Sequence, residues 1–235
     1  MNPTLITAFL RQRMTSPIRL VFLFASAAFP LMFVAVAPAT GFASLQGSFF
    51  FALIFGAGMI GQDTASGVLQ LLFARPVRRD VYALSRWFAA SLAAATVAVL
   101  QVGIAALIMT SRGAAPTMAA VGIAWGNHVT SAFGATAPLL LFSALVPGLG
   151  DLGLLVLLYL TSSIVQSVGG MMHAGALANV AQIVHDSLDP TIDFARVVGS
   201  STSWYQIVAY LSTVTLSLAL AIIVMNRKEL SYASG

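Results

Sequence analysis

The chain has 235 residues, of which 59% are hydrophobic and only 8% charged, with a formal net charge of +4 and a mean hydropathy of +0.93. Soluble domains carry about a quarter charged residues, so the composition excludes a water-soluble globular chain and indicates a polytopic membrane protein. Cysteine is absent, which removes disulfides, thiol chemistry and Cys-based metal sites.

In the N-terminal segment 1–18, PTLITAFLRQRM puts Leu5, Ile6, Phe9 and Leu10 on one helical face with Arg11 and Arg13 close behind. That pattern predicts an amphipathic helix lying in the headgroup layer, apolar side down; a cationic leader that only sets topology is the plainer alternative. A first span is expected from about Arg19 to Ala37. The small residues of VAVAPA also fit a signal-peptide end, but the polar region before the apolar core is long for one, so a retained anchor is expected. A second span is expected at Leu45 to Gly61, a third at about Val81 to Met109, a fourth within 119–146 and a fifth from Leu152 to about Met171. These runs approach or exceed the roughly 20 residues a helix needs to cross a bilayer. TSRGAAPT and VPGLGD punctuate the connections around the fourth with Gly and Pro. Residues 172–204 carry Asp186, Asp189, Asp193 and Arg196 with a Pro190 turn, and read as a loop with short helices. The last span is Tyr205 to Met225, followed by the tail 226–235. The fold class expected is an all-α membrane protein, one domain over 1–235 with six transmembrane helices.

Cationic side chains are retained on the cytoplasmic side of membranes. With the N-terminus inside, Arg11, Arg13, Arg19, Arg75, Arg78, Arg79, Arg86, Arg227 and Lys228 fall on that side, nine against the two outside, Arg112 and Arg196. Six spans return the C-terminus to the cytoplasm and make 172–204 extracytoplasmic. No catalytic constellation is present: His128, His173 and His185 are scattered, no HExxH or nucleophile elbow occurs, and the single lysine, Lys228, is followed by Glu229 rather than the Ser/Thr of a phosphate-binding loop. The chain is therefore expected to be no enzyme and to hold no metal or cofactor, with the lipid bilayer rather than nucleic acid as its surroundings.

Polar residues inside the spans, Gln46, Gln101, Asn127 and Gln166, either face a cavity or bond between packed helices. Gly56, Gly58 and Gly61 permit close helix approach, while Phe49, Phe50, Phe51 and Phe55 line an apolar path or face lipid.

Charge and apolar residues meet in the segment 63–80, DTASGVLQLLFARPVRRD. Asp63 or Thr64 suits a helix N-cap, and Pro76 disfavours helix at Arg75, so a short helix ending near Ala74 is predicted. On a helical wheel Val68, Leu69, Leu72 and Phe73 share a face opposite Gln70 and Ala74. Such a knob suits either docking to a cytoplasmic partner or simple anchoring of a loop in the interface.

The same run resembles the intracellular coupling helix between the second and third spans of ABC type-2 exporter permeases: an acidic residue, three others, Gly-Thr-Leu-Glu/Gln-Leu-Leu, and an Arg-Pro-Val-Ser-Arg-like end. Asp63, Gly67, Leu69, Gln70, Leu71, Leu72, Arg75, Pro76, Val77 and Arg79 fit that pattern; Val68 stands for the usual Thr and Arg78 for the usual Ser. NRKELSY near the C-terminus resembles the family's ending. The resemblance implies a permease subunit in the bacterial-type cytoplasmic (inner) membrane. It would pair with a second permease and with two ABC ATPase subunits that bind ATP and Mg; two copies of this chain, a homodimer, are favoured because nothing in the sequence requires asymmetry, and a heterodimer stays open. Leu69, Gln70, Leu71 and Leu72 would carry contact and force, and Asp63, Gly67 and Pro76 belong to the same ATPase-coupling set. Arg75, Arg78 and Arg79 would meet acidic groups of the partner or anionic lipid, or act only as topology signals. The family's path borders the second and fifth spans, which makes Gln46, Phe49, Phe50, Phe55, Ser163 and Gln166 substrate-path candidates. Two other classes stay open: a secondary transporter working without an ATPase, and a membrane-embedded lipid-modifying enzyme.

Overall fold

The computed structural model describes residues 3–45, 48–73, 77–199 and 204–227, and the described residues form helices without a strand. Five helices are long and apolar enough to cross a membrane: α2 (Pro17–Val36), α6 (Arg79–Ser111), α7 (Met118–Leu145), α8 (Gly150–Met171) and α11 (Trp204–Arg227). A 3-10 segment, Pro38–Ser44, and the stretch Phe49–Ala65 lie at 43° to each other and make a sixth span only if counted as one. The all-α membrane class is thus plain, with five continuous spans.

Helices α6 and α7 form the centre. On α6, Ala83, Ala89, Ala90, Ala94, Ala98 and Ala105 are buried, a stripe of small side chains that lets neighbouring backbones approach closely, as helix packing in lipid requires. Ser91 and Thr136 join α6 to α7 at 2.5 Å, and Trp87 Nε1 donates to the Phe133 carbonyl at 3.3 Å. By contrast, α2 exposes Phe22, Phe24, Phe29 and Phe33 and is tied inward by Gln101, whose amide donates to the Ala27 carbonyl at 2.9 Å.

Arg13, Arg19, Arg79 and Arg86 gather at one end of the bundle. There α1 (Pro3–Met14) packs on α6, with Phe9 only 1% exposed and Leu5, Ile6 and Leu10 against the same core. The sequence placed this apolar face in lipid; the structure turns it onto protein, because α6 offers a ready apolar surface.

The second predicted span is broken. Helix α3 (Phe49–Gly56) ends at a turn, and α4 (Gly61–Ala65) follows. Three backbone amides freed by the turn find side chains on α7 and α8: Gly58 N–H donates to Asp151 Oδ2 at 2.7 Å, and Ile60 and Gly61 N–H both donate to Ser143 Oγ at 2.9 Å. Satisfying each buried amide in this way is what permits irregular backbone inside a membrane domain.

In the 172–204 region, α9 (Gly175–Leu188) doubles back along α8. Gly169 lies against Ala178, and further along Ser163 Oγ is 3.3 Å from His185 Nδ1. At about 1.5 Å per residue its 14 residues carry the chain roughly 20 Å back into the bundle. The short α10 (Phe194–Gly199) then leads toward α11. The loop with short helices is therefore largely one re-entering helix.

Candidate functional site

At the arginine-rich end, Asp63 is 6% exposed, and its Oδ2 accepts from both the Tyr82 hydroxyl and the Arg86 guanidinium. Beside it, Arg13 and Arg86 stand over the Phe9 ring with their guanidinium carbons 4.7 and 4.6 Å from its centroid. Arg13 is 3% exposed and donates to the Ala57 carbonyl at 2.5 Å. Burial, reinforced by Arg19 and Arg86, pushes Arg13 down to about 9, which leaves it cationic at neutral pH. One carboxylate thus ties α4 to α6, and the stacked arginines draw in α1.

Between that anchor and α6 stands α5 (Val68–Phe73). Gly67, at φ +72°, separates it from α4; this left-handed conformation suits glycine and ends the helical run. The predicted single helix capped by Asp63 or Thr64 is therefore two pieces, since Asp63 is held by Tyr82 and Arg86 and Thr64 Oγ1 donates back to the Ile60 carbonyl. Leu69 is buried, Leu72 packs half-buried on the core and Gln70 is half-buried, while Leu71 is 74% and Val68 45% exposed. The exposed apolar edge is therefore Val68–Leu71, rather than the whole predicted face. Arg78 is exposed and pairs with Asp80 at 2.7 Å, and Arg79 donates to the Met225 and Asn226 carbonyls at 2.7 and 3.2 Å, capping the end of α11. Arg75 and Pro76 lie outside the described residues.

Where α9 turns back, a cavity of about 500 Å³ opens beside α7, lined by Asn127, His128, Ser131, Asp189 and Ile192 among others. A second, about 320 Å³, shares Asp189, Thr191 and Asp193 and reaches Gln206 and Tyr210 on α11. Ser131 Oγ donates to Asp189 Oδ1 at 3.1 Å, Asn127 Oδ1 accepts from Phe194 N–H at 2.8 Å, and the Tyr210 hydroxyl donates to the Thr130 carbonyl at 2.9 Å. Burial pushes the Asp189 carboxyl up to about 6; the Ser131 hydrogen bond opposes that shift and the Asp186 charge adds to it. Ser48 spends its one hydroxyl proton on the His128 carbonyl at 2.6 Å, so its contact with His128 Nδ1 at 3.2 Å requires the ring to donate.

The five substrate-path candidates among the described residues line neither cavity. Phe49 is buried and stacks on Tyr159 at 4.4 Å, Phe55 is buried in the core, Phe50 is half-exposed, and Gln46 lies outside the described residues. Ser163 contacts His185, and Gln166 is half-buried on the same helix. Sequence reasoning missed the pairing of Asp63 with Arg86 and the convergence of His128, Ser131 and Asp189. Asn127 and Ser131, four apart with His128 beside them, were the one available signal for a polar stripe on α7. Compared with family models, with curated proteins and with solved structures, the chain matches none.

Proposed function

We propose that the chain is the membrane-spanning permease subunit of an ATP-driven exporter of the ABC type-2 kind, and that α5 receives motion from a separate ATPase subunit. The observation that supports this reading is the form of residues 61–73. A six-residue helix shows an apolar edge, Val68 and Leu71, while Leu69 fixes it to the core and Asp63 locks the preceding turn to α6. A push on such an element moves the bundle instead of bending a loop, which is what conversion of ATPase closure into alternating access requires. The arginine-rich end is then cytoplasmic in a bacterial-type inner membrane. ATP and Mg belong to the partner, because Lys228 is followed by Glu229 and cannot complete a phosphate-binding loop. A second permease copy completes the path.

The test is to look for a P-loop ATPase in the reading frames adjacent to this one and to ask whether it co-purifies with the chain. Leu71→Glu places a charge on the exposed edge with no cost to the core, and it is expected to abolish ATPase association while the permease inserts and elutes normally. Full ATPase recovery with Leu71→Glu would remove the basis for the reading. A second reading, an ion-coupled carrier needing no ATPase, is favoured by one feature: the Asp189 carboxyl beside α7, at the turn of the re-entering helix. Solute uptake by vesicles holding this chain alone would decide for it.

A further inference from the structure

The smaller of the two cavities beside α9 holds a buried hydrogen-bond acceptor that the described residues do not satisfy. Gln206 Oε1 is fully buried and has no partner, and Gln206 lines the smaller cavity. In the larger one, His128, 6% exposed, is fixed by Ser48 in the tautomer that protonates Nδ1, so its Nε2 is an acceptor. Asp189 lines both cavities; Ser131 satisfies one of its oxygens, and no cationic side chain among the described residues pairs with it. Arg196, the cation of this region, is exposed and held by Asp193 at 3.1 Å. Asp193 in turn is occupied by Arg196 and by the backbone amides of Ala195 and Arg196, so it adds no free acceptor. The remaining wall of the larger cavity is mostly apolar, with Phe42, Leu45, Ile123, Ala124 and Ile192, and adds the polar side chains of Asn127 and Thr191.

A carboxylate with no cationic partner among the described residues, the unsatisfied Gln206 Oε1, the acceptor nitrogen of His128 and a largely apolar wall call for a ligand with several N–H donors, one positive charge and a hydrocarbon body. We infer that the paired cavities around Asp189 bind a protonated primary amine bearing an apolar substituent, with Asp189 as counter-ion and His128 Nε2 and Gln206 Oε1 as orienting acceptors. A cavity of about 500 Å³ falls within the roughly 300–1,000 Å³ of small-molecule sites. Desolvation disfavours the bare carboxylate, as its raised position near 6 records, and an ammonium brought within contact distance reverses that penalty. This site lies away from α5 and is independent of any ATPase.

The test uses the full chain in phosphatidylcholine nanodiscs at pH 7.5, with tritiated phenethylamine as the probe and no ATPase present. Saturable binding is expected, weakened by roughly tenfold or more in Asp189→Asn, the scale of losing one desolvated charge contact. The same affinity is expected in Asp80→Asn, which alters a carboxyl at the arginine-rich end. Asp189→Asn keeps an acceptor for Ser131; should it nevertheless misfold, competition on the unaltered chain carries the same question. There unlabelled phenethylamine must displace the probe and neutral 2-phenylethanol must not. Displacement by phosphatidylethanolamine added to the disc would identify a lipid headgroup as the source of the amine, and its absence a free amine. Absence of saturable binding, equal affinity in Asp189→Asn, displacement by 2-phenylethanol, or displacement by sodium alone would each overturn the assignment.

Discussion

Asp63 shows how one side chain can serve the fold while standing inside a segment that reads as a docking motif. Its partner Arg86 is nearly as buried, and removing one member of such a pair leaves an uncompensated charge at a cost of about 3–5 kcal/mol. Asp63→Ala is therefore expected to lower the thermal midpoint of the detergent-purified protein sharply, and the double replacement Asp63→Leu with Arg86→Met to recover much of the loss. If the single and double variants melt alike, the pair does not hold the segment. Asp189 supplies a prediction of opposite sign. His128 on α7, Asp186 on α9, Asp193, Arg196 on α10 and Tyr210 on α11 surround it. Its carboxyl titrates near 6, above the ordinary 3.8, so the folded state binds its proton more tightly than the unfolded state does. That contribution is complete below 3.8 and is lost as pH rises through about 6, leaving a desolvated anion. Asp189→Asn should then match the unaltered protein at pH 4 and melt at a higher temperature at pH 7.5. An equal gap at both pH values would show that the effect is packing and not charge.

The turn after α9 depends on a position where the backbone leaves no room. At Gly134 on α7 an added Cβ would sit 2.1 Å from the Pro190 carbonyl oxygen and 3.0 Å from the Tyr210 ring. Gly134→Ala must push the turn away from α7, with the cost of about 1–3 kcal/mol typical of overpacking. It is expected to loosen the Ser131–Asp189 contact, read as faster proteolysis within 186–196, while Gly122→Ala, which meets nothing, leaves cleavage unchanged. For α5 the choice of residue decides what an experiment means. Leu72 packs on the core, so Leu72→Glu combines misfolding with loss of a partner, whereas Leu71 is free of that confusion. Sequence periodicity found the α5 segment and its apolar character. It did not divide the outward edge from the inward one, because a wheel of six residues gives direction only once the core beneath it is known. The break at Gly67 was missed for a similar reason: glycine in a helical pattern is punctuation only when the next residues have another surface to join, here Leu69 on the core.

For the molecule as a whole, the long spans were legible because each is a single run of apolar residues longer than a bilayer needs, and α2, α6, α7, α8 and α11 stand close to their expected limits. What was not legible depends on contacts distant in sequence. Asp151 and Ser143 support the turn that breaks the second span, and Arg86 waits 23 residues beyond Asp63. Helix α9 is likewise invisible to hydropathy, since its 14 residues are too few to cross, and Asp189 just beyond it finds its hydrogen-bond partner far away in sequence, at Ser131 on α7. This architecture makes orientation an experimental question with a clean background, because the chain contains no cysteine. Single cysteines at Arg78 and at Arg112 sit near opposite ends of α6, in exposed surroundings. In the proposed orientation the α6 end bearing Arg78, Arg79 and Arg86 faces the cytoplasm, the side that a cationic bias favours, with Arg112 at the other end of the helix. In intact cells a membrane-impermeant maleimide is therefore expected to label Arg112→Cys and to spare Arg78→Cys until the membrane is opened. Labelling of Arg78→Cys from outside would invert the molecule, place α5 away from any cytoplasmic ATPase and direct the Asp189 cavities toward the cell interior.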